Sequence, residues 1–243
     1  MGPLSFLIHH SGGLVYHFRA WRFKKRLWSG HLQNTRQFLM EWNPKSDHLV
    51  LVGPSAGYSL PIDFLKRFKK ITAFEPDPIA RFLFRFRTGL HPHWITAPFS
   101  FEDLNSEKIQ LPIGSAVLFC NVLGQKELNQ DEGMLAQNEI ESLAQQHELA
   151  SYHDILSGDD FRFQWESPTI NDQPVRYKFD AEALDPYFEA APGITELDLH
   201  VHSANYLFQS VNEPADESFY RHQYWEWQIS PTQTQVIEGV YTS

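Results

Sequence analysis

The sequence predicts an α/β fold, with a mostly parallel sheet, helices on both faces, a C-terminal antiparallel hairpin and a β-rich insertion. Three observations carry this. Short apolar runs at Leu49–Val52, Ile71–Phe74, Ala116–Cys120 and Leu149–His153 alternate with helical patterns, the arrangement that sets parallel strands side by side under helices. Two strand-like runs at the end, Tyr224–Ile229 and Gln235–Tyr241, are joined by the turn Ser230-Pro231-Thr232-Gln233. After Ser157-Gly158 the pattern turns to period two, in Phe161–Trp165 and Val175–Phe179 around Asn171-Asp172-Gln173-Pro174, as a hairpin insertion would read.

Taken in order, Tyr16–Trp42 reads as one long helix, with Phe18, Trp21, Trp28, Leu32, Leu39 and Trp42 compatible with a single apolar stripe, Ser29-Gly30 a candidate kink and Asn43-Pro44 a stop. Leu49–Val52 is a buried strand. Leu60–Phe68 is a helix with Pro61 in its first turn. Ile71–Phe74 is a strand, Pro78–Arg87 a helix ended by Thr88-Gly89, and Trp94–Ala97 a weaker strand. Ala116–Cys120 follows the turn Pro112-Ile113-Gly114, Glu132–Gln146 is a helix, and Leu149–His153 is the fifth strand. Leu197–Tyr206 is ambiguous between strand and helix. The domain division expected is an N-terminal helical segment, 1–44, and an α/β domain, 45–243, with its insertion at about 159–195.

Composition narrows the class. At 243 residues, 42% hydrophobic and 14% aromatic, the chain can bury a substantial core and is not a disordered sequence. A single cysteine, Cys120, excludes an internal disulfide and suits a reducing, cytoplasmic setting. No run approaches the roughly 18 apolar residues of a spanning helix, and Met1–Leu14 lacks the organisation of a signal peptide. The net charge of −10 conceals an asymmetry: residues 1–90 carry 14 Lys/Arg and 5 Asp/Glu, residues 91–243 carry 6 and 25. Either the two halves are solvated faces that attract one another, or the basic half meets an anionic partner such as RNA or lipid headgroups. Basic residues interleave with aromatics in Trp21–Trp28 and Arg81–Arg87, which suits phosphate contact with stacking and equally suits amphipathic helices.

The most specific feature is the turn Gly53-Pro54-Ser55-Ala56-Gly57-Tyr58 after the first strand, answered by Glu75-Pro76-Asp77 at the end of the second, with Glu75 18 residues beyond Gly57. A turn with little side-chain bulk lets a ligand approach the backbone at a helix N-terminus, and a carboxylate at the tip of the next strand can take both hydroxyls of a ribose. The pair points to a nucleoside-containing cofactor. The run is neither the Gly-x-Gly-x-x-Gly fingerprint nor a Gly-Lys-Ser/Thr phosphate loop.

On these residues the chain resembles the class I S-adenosylmethionine-dependent methyltransferases, over about 45–158 and the terminal hairpin at 224–241. The resemblance implies a Rossmann-like sheet, S-adenosylmethionine as cofactor, and a methyl acceptor, small or macromolecular. It implies that Gly53, Ser55, Ala56, Gly57 and Tyr58 cradle the methionine part, that Glu75 holds the ribose, and that Pro76 and Asp77 lie beside the adenine. Phe99 and Ser100 would contact the adenine edge, and Cys120, Asn121, Val122 and Leu123 would line the transfer site. Tyr152-His153-Asp154, expected at the end of strand five, supplies a candidate base, an imidazole oriented by a carboxylate, with the alternative that both side chains merely cap the strand.

Leu51 and Ser55 stand where the family often has an acidic residue and a glycine. They support the alternative of a methyltransferase-like binding module without turnover, contacting RNA, membrane or protein through its basic, aromatic N-terminal half. A nicotinamide oxidoreductase shares the ribose carboxylate but lacks the glycine fingerprint. His200-x-His202 could set two imidazoles on one strand face and His9-His10, His91-x-His93 and His222 could add ligands, but no His-Glu-x-x-His or cysteine cluster appears, and no metal is expected. Cys120, ending an apolar strand, reads as a small buried hydrophobe.

Overall fold

The computed structural model describes residues 13–97, 111, 113–123, 130–159, 199–201 and 220–242. Five helices and eight strands are defined among them: α1 (Gly13–Phe23), α2 (Ser29–Glu41), β1 (His48–Val52), α3 (Ile62–Leu65), β2 (Lys70–Phe74), α4 (Pro78–Thr88), β3 (His93–Ile95), β4 (Ala116–Cys120), α5 (Gln130–Gln146), β5 (Glu148–Asp159), β6 (Leu199–Val201), β7 (Tyr220–Gln228) and β8 (Gln233–Thr242). The hairpin insertion expected over 161–179, and Phe99 and Ser100, lie outside the described residues.

The strands form one sheet in the order β3-β2-β1-β4-β5-β8-β7, with β6 paired to β5. β1 to β5 run parallel, and β8 enters antiparallel between β5 and β7. This is the Rossmann-like sheet with a terminal antiparallel hairpin that the sequence predicts. β1 and β4 are buried at every position, because they are central strands covered on both faces.

Two apolar layers result. On one face Leu49, Leu51, Leu118, Tyr152, Trp225 and Ile237 pack under Trp28, which lies between α1 and α2, and under Phe38, Leu39, Phe64 and Phe84 of the helices. On the other, Val50, Val52, Val117, Phe119 and Val240 meet Ala136, Ile140 and Leu143 of α5. Each fully buried large side chain contributes about 1.5–3 kcal/mol by leaving water.

The long helix expected over Tyr16–Trp42 is two helices. The chain breaks between Phe23 and Ser29 because Trp28 turns inward. Its indole packs edge-on against Trp227 at 5.0 Å and its Nε1–H donates to the Ile229 carbonyl at 3.1 Å. The break lets α2 lie on the sheet with Phe38 against Trp225, while α1 swings over the ends of β1 and β2.

Two other elements differ from expectation. The helix expected over Leu60–Phe68 contracts to one turn, Ile62–Leu65. The fifth strand does not stop at His153 but runs to Asp159, because β8 pairs with it from Ala150 to Asp159 and β6 pairs with Leu156–Gly158. β4 accompanies β5 only to Tyr152, so the outer half of β5 rises past the end of β4.

Candidate functional site

The β1–α3 turn is built by left-handed backbone. Gly53 has φ +65° and Gly57 φ +66°, and Ser55 sits between them at +48°. Glycine is required at position 57 on a second ground, since a Cβ there would meet the Phe84 ring at 2.8 Å. At Gly53 a Cβ would press on Val122 Cβ at 3.1 Å, so the first glycine brings the turn close to the loop after β4. Pro54 O accepts from Gly57 N–H at 2.8 Å and closes the turn.

Glu75 reaches across from the end of β2. Its Oε2 accepts from Ser55 N–H at 2.8 Å and its Oε1 from Asp77 N–H at 3.0 Å. Burial pushes its carboxyl above the ordinary range, and the two N–H donors only partly offset this. A carboxylate has about four acceptor positions, and these two bonds leave capacity for hydroxyl donors. Pro76 follows, and Asp77 caps α4 by accepting from Ile79 N–H at 2.8 Å.

Tyr58 is the meeting point of three elements. The Arg87 guanidinium of α4 lies 5.0 Å and the Lys24 ammonium 5.5 Å from its ring centroid. Arg87 also donates to the Ala56 carbonyl at 2.7 Å, tying α4 to the turn. Burial, then the neighbouring Arg87 charge, bring Lys24 down to about 8. From α1, His17 Nδ1 lies 3.1 Å from the Tyr58 hydroxyl and Nε2 faces Asp77 Oδ2 at 3.5 Å. One tautomer satisfies both: Nδ1 accepts from Tyr58, and the Nε2 proton points at the carboxylate. Burial would raise the Asp77 carboxyl, but His17 and the N–H groups of Ile79 and Ala80 hold it below its usual value.

Tyr16, Lys24 and Arg87 are residues of this site that sequence reasoning missed. The Tyr16 ring stands 5.8 Å from Tyr58 and 5.7 Å from Trp28. Burial first, then Tyr58, raise its hydroxyl pKa, with Cys120 and Glu75 also close enough to act on it. In sequence Tyr16 was only the first residue of a helical pattern. The adjacent pair Tyr16-His17 was its one signal.

At the end of β4, Asn121 adopts φ +52° and its N–H donates to the Tyr152 carbonyl at 2.7 Å. Its Oδ1 accepts from Asp154 N–H at 3.0 Å, so the side chain is turned onto β5. Beneath this point runs a chain of buried polar contacts. Trp225 Nε1–H donates to His31 Nδ1 at 3.0 Å, and His31 Nε2 bonds Ser59 Oγ at 3.0 Å. Burial raises the Tyr152 hydroxyl pKa, with Cys120 and Ser59 close enough to act on it. Burial pushes the Cys120 thiol far up, so it is a neutral thiol in this chain.

The structure brings Gly53–Tyr58, Glu75, Pro76 and Asn121 to one end of the sheet. His153 and Asp154 differ from expectation, since they lie mid-strand rather than at a strand end, and both are buried. His153 Nδ1 lies 2.9 Å from Ser151 Oγ, and its Nε2 approaches Glu238 Oε2 of β8 at 3.3 Å. Glu238 also meets His222 Nδ1 at 2.7 Å and accepts from the Tyr224 hydroxyl at 2.9 Å. Burial alone would raise the Glu238 carboxyl, but the two histidines outweigh it and hold it at about 2. Asp154 Oδ2 accepts from Gln235 Nε2 at 3.0 Å. Both side chains are thus engaged inside the sheet, because β8 covers the part of β5 expected to be a free end.

No protein-family model matches the chain, and no curated protein matches it. Among solved structures it is similar to the magnesium protoporphyrin IX methyltransferase of Synechocystis PCC 6803 with bound SAM, at 12% identity over 93% of this chain and 91% of that one, TM-score 0.42. It is similar to the N-methyltransferase NodS of Bradyrhizobium japonicum at 11% identity over 87% and 94%, TM-score 0.45. It is also similar to CalS10, an amino pentose methyltransferase of Micromonospora echinaspora, at 12% identity over 93% and 96%, TM-score 0.45.

Proposed function

We propose that the chain is an S-adenosylmethionine-dependent methyltransferase. The observation that carries this is the left-handed Gly53–Gly57 turn closed against the Glu75 carboxylate at the C-terminal ends of β1 and β2. Open α/β sheets bind nucleosides at that edge. The residues fit the group: Glu75 retains acceptor capacity for ribose hydroxyls, and Ser55 and Ala56 give the turn little side-chain bulk of its own. When bound, the cofactor supplies a methyl on a sulfonium.

The chain's own part is to bind and orient. Glu75 holds the sugar, Arg87 fixes the turn through Ala56 O, and Asn121 shapes the floor after β4. His153 and Asp154 act as positioning residues, His153 through the Glu238 contact between β5 and β8, Asp154 through the N–H that holds Asn121. The acceptor is approached from the end of β4, where the outer half of β5 and β6 form a wall. Leu51 and Ser55 keep the alternative of a binding module in play. Ser55 does not count against cofactor binding in either reading, because its backbone takes the left-handed conformation a glycine would supply.

Isothermal titration with S-adenosylmethionine and S-adenosylhomocysteine tests the reading. Wild type should bind both, and Glu75→Ala should lose at least about tenfold in affinity, the worth of hydrogen bonds to a charged acceptor. The ionised carboxylate is the form that accepts hydroxyls. Since burial raises the Glu75 pKa, affinity should climb as pH rises through and above the ordinary value of 4.5. No binding of either ligand by wild type would sink the proposal.

A further inference from the structure

Among the described residues, no element covers the side of α1 turned away from the cofactor turn. Leu14, Phe18 and Trp21 recur at helical spacing on that side, all exposed, Trp21 by 77%. The neighbouring α4 repeats the pattern with Phe82 and Phe86, the latter 81% exposed. The helices are neighbours, since His17 of α1 faces the α4 cap Asp77 and both Lys24 and Arg87 lie over Tyr58. Large apolar side chains in solvent at this density mark a contact surface.

Charge selects the occupant. Residues 13–30 and 78–90 contain eight Lys/Arg and no Asp/Glu, in a chain whose net charge is −10. Lys24 and Arg87 turn inward to Tyr58, but Arg22, Lys25, Arg26 and Arg85 are exposed beside the aromatic rings. A helix with an apolar face that includes Trp, flanked by Arg and Lys, is what lies in the headgroup layer of a bilayer. Single-stranded nucleic acid is held differently, in a basic groove where successive bases stack. Here the rings stand on the outer sides of two helices, accompanied by an aliphatic Leu14 that no base would stack on.

We infer that the outer sides of α1 and α4 form a docking surface for an anionic membrane, Leu14, Phe18, Trp21, Phe82 and Phe86 entering the headgroup layer while the exposed arginines and lysines hold lipid phosphates. The inner side of α1 carries Tyr16 and His17 of the candidate site, so docking sets the cofactor turn directly behind the membrane surface. The surface stands on its own exposure and charge, and does not depend on the methyltransferase reading.

Co-sedimentation with lipid vesicles tests it, using pure phosphatidylcholine and vesicles with about a third of it replaced by phosphatidylglycerol. The full chain should pellet with the anionic vesicles and stay in solution with the neutral ones. Raising salt to about 0.5 M should weaken binding roughly tenfold or more by screening. Phe18→Ser with Trp21→Ser should lose about tenfold or more in partitioning while keeping the wild-type melting temperature, since both residues are exposed. A second variant, Arg22→Glu with Arg85→Glu, should abolish the preference for anionic lipid. Failure to pellet with either vesicle overturns the inference, as does pelleting that both variants leave intact. A self-association in sedimentation velocity that the Phe18/Trp21 variant disperses, or tighter binding to a single-stranded RNA oligonucleotide than to vesicles, would assign the surface to another occupant and overturn it equally.

Discussion

His31 illustrates how one residue can be fixed by its partners. An indole N–H only donates, so the Trp225 contact makes His31 Nδ1 an acceptor and leaves its proton on Nε2, facing Ser59. The ring is also stacked on Trp227 at 4.2 Å. A second proton has nowhere to go in this setting, and burial lowers the His31 pKa from 6.5 to about 3. The folded state therefore binds fewer protons than the unfolded one between those values. Stability is fully present above pH 6.5 and is lost as pH falls toward 3, by an amount on the order of several kcal/mol. Urea unfolding at a series of pH values should show this slope. His31→Phe should be less stable at neutral pH by about 1–3 kcal/mol, because Trp225 N–H and Ser59 lose a buried partner, and should flatten the slope. A slope unchanged in His31→Phe would assign it to other groups.

At the scale of elements, α1 is the piece whose position the sequence could not reveal. The strands β1, β2 and β4 were legible as the short, mostly apolar runs Leu49–Val52, Ile71–Phe74 and Ala116–Cys120, and α4 was legible from its helical pattern and the Thr88-Gly89 that ends it. The Gly53 turn was legible because Gly53 and Gly57 take the left-handed backbone that favours glycine, and Glu75 because a carboxylate ends an apolar run. The break before Ser29 was not legible, since it is made by Trp28 reaching Trp227 and Ile229, about two hundred residues on. The same holds for β5, whose outer half is strand only because β8 and β6 pair with it. His153 read as a candidate base at a strand end for that reason, the Glu238 that its Nε2 approaches being remote in sequence. α1 itself is held over the turn by His17, through Tyr58 and Asp77. His17→Ala should cost about 1 kcal/mol locally. Hydrogen exchange should rise across Gly13–Phe23 while β1 and β4 keep their protection, and affinity for S-adenosylhomocysteine should fall. Uniform loss of protection across the sheet would mean that α1 is part of the global folding unit.

For the whole molecule, the candidate site is assembled from parts that are distant in sequence but bonded to one another. The β1 turn is linked to the end of β2 by Ser55–Glu75 and to α4 by Ala56–Arg87, while α1 is linked to both the α4 cap and the turn by His17. After β4, Asn121 is tied to β5, and β5 is tied through Glu238 to the terminal hairpin. A ligand held between Glu75, the turn and Tyr16 would bind no unfolded chain, because these groups converge only in the fold. Its binding energy then adds to global stability, by about 2.7 kcal/mol at a ligand concentration one hundred times Kd. For a domain of this size that corresponds to a rise in Tm of roughly 5–10 °C. Thermal melts with and without S-adenosylhomocysteine should give that shift in wild type, a smaller one in His17→Ala and about half the wild-type shift or less in Glu75→Ala at the same concentration. The variants separate a shared site from a local effect. If α1 merely sat nearby, His17→Ala would lower the starting Tm but leave the ligand-induced increment whole.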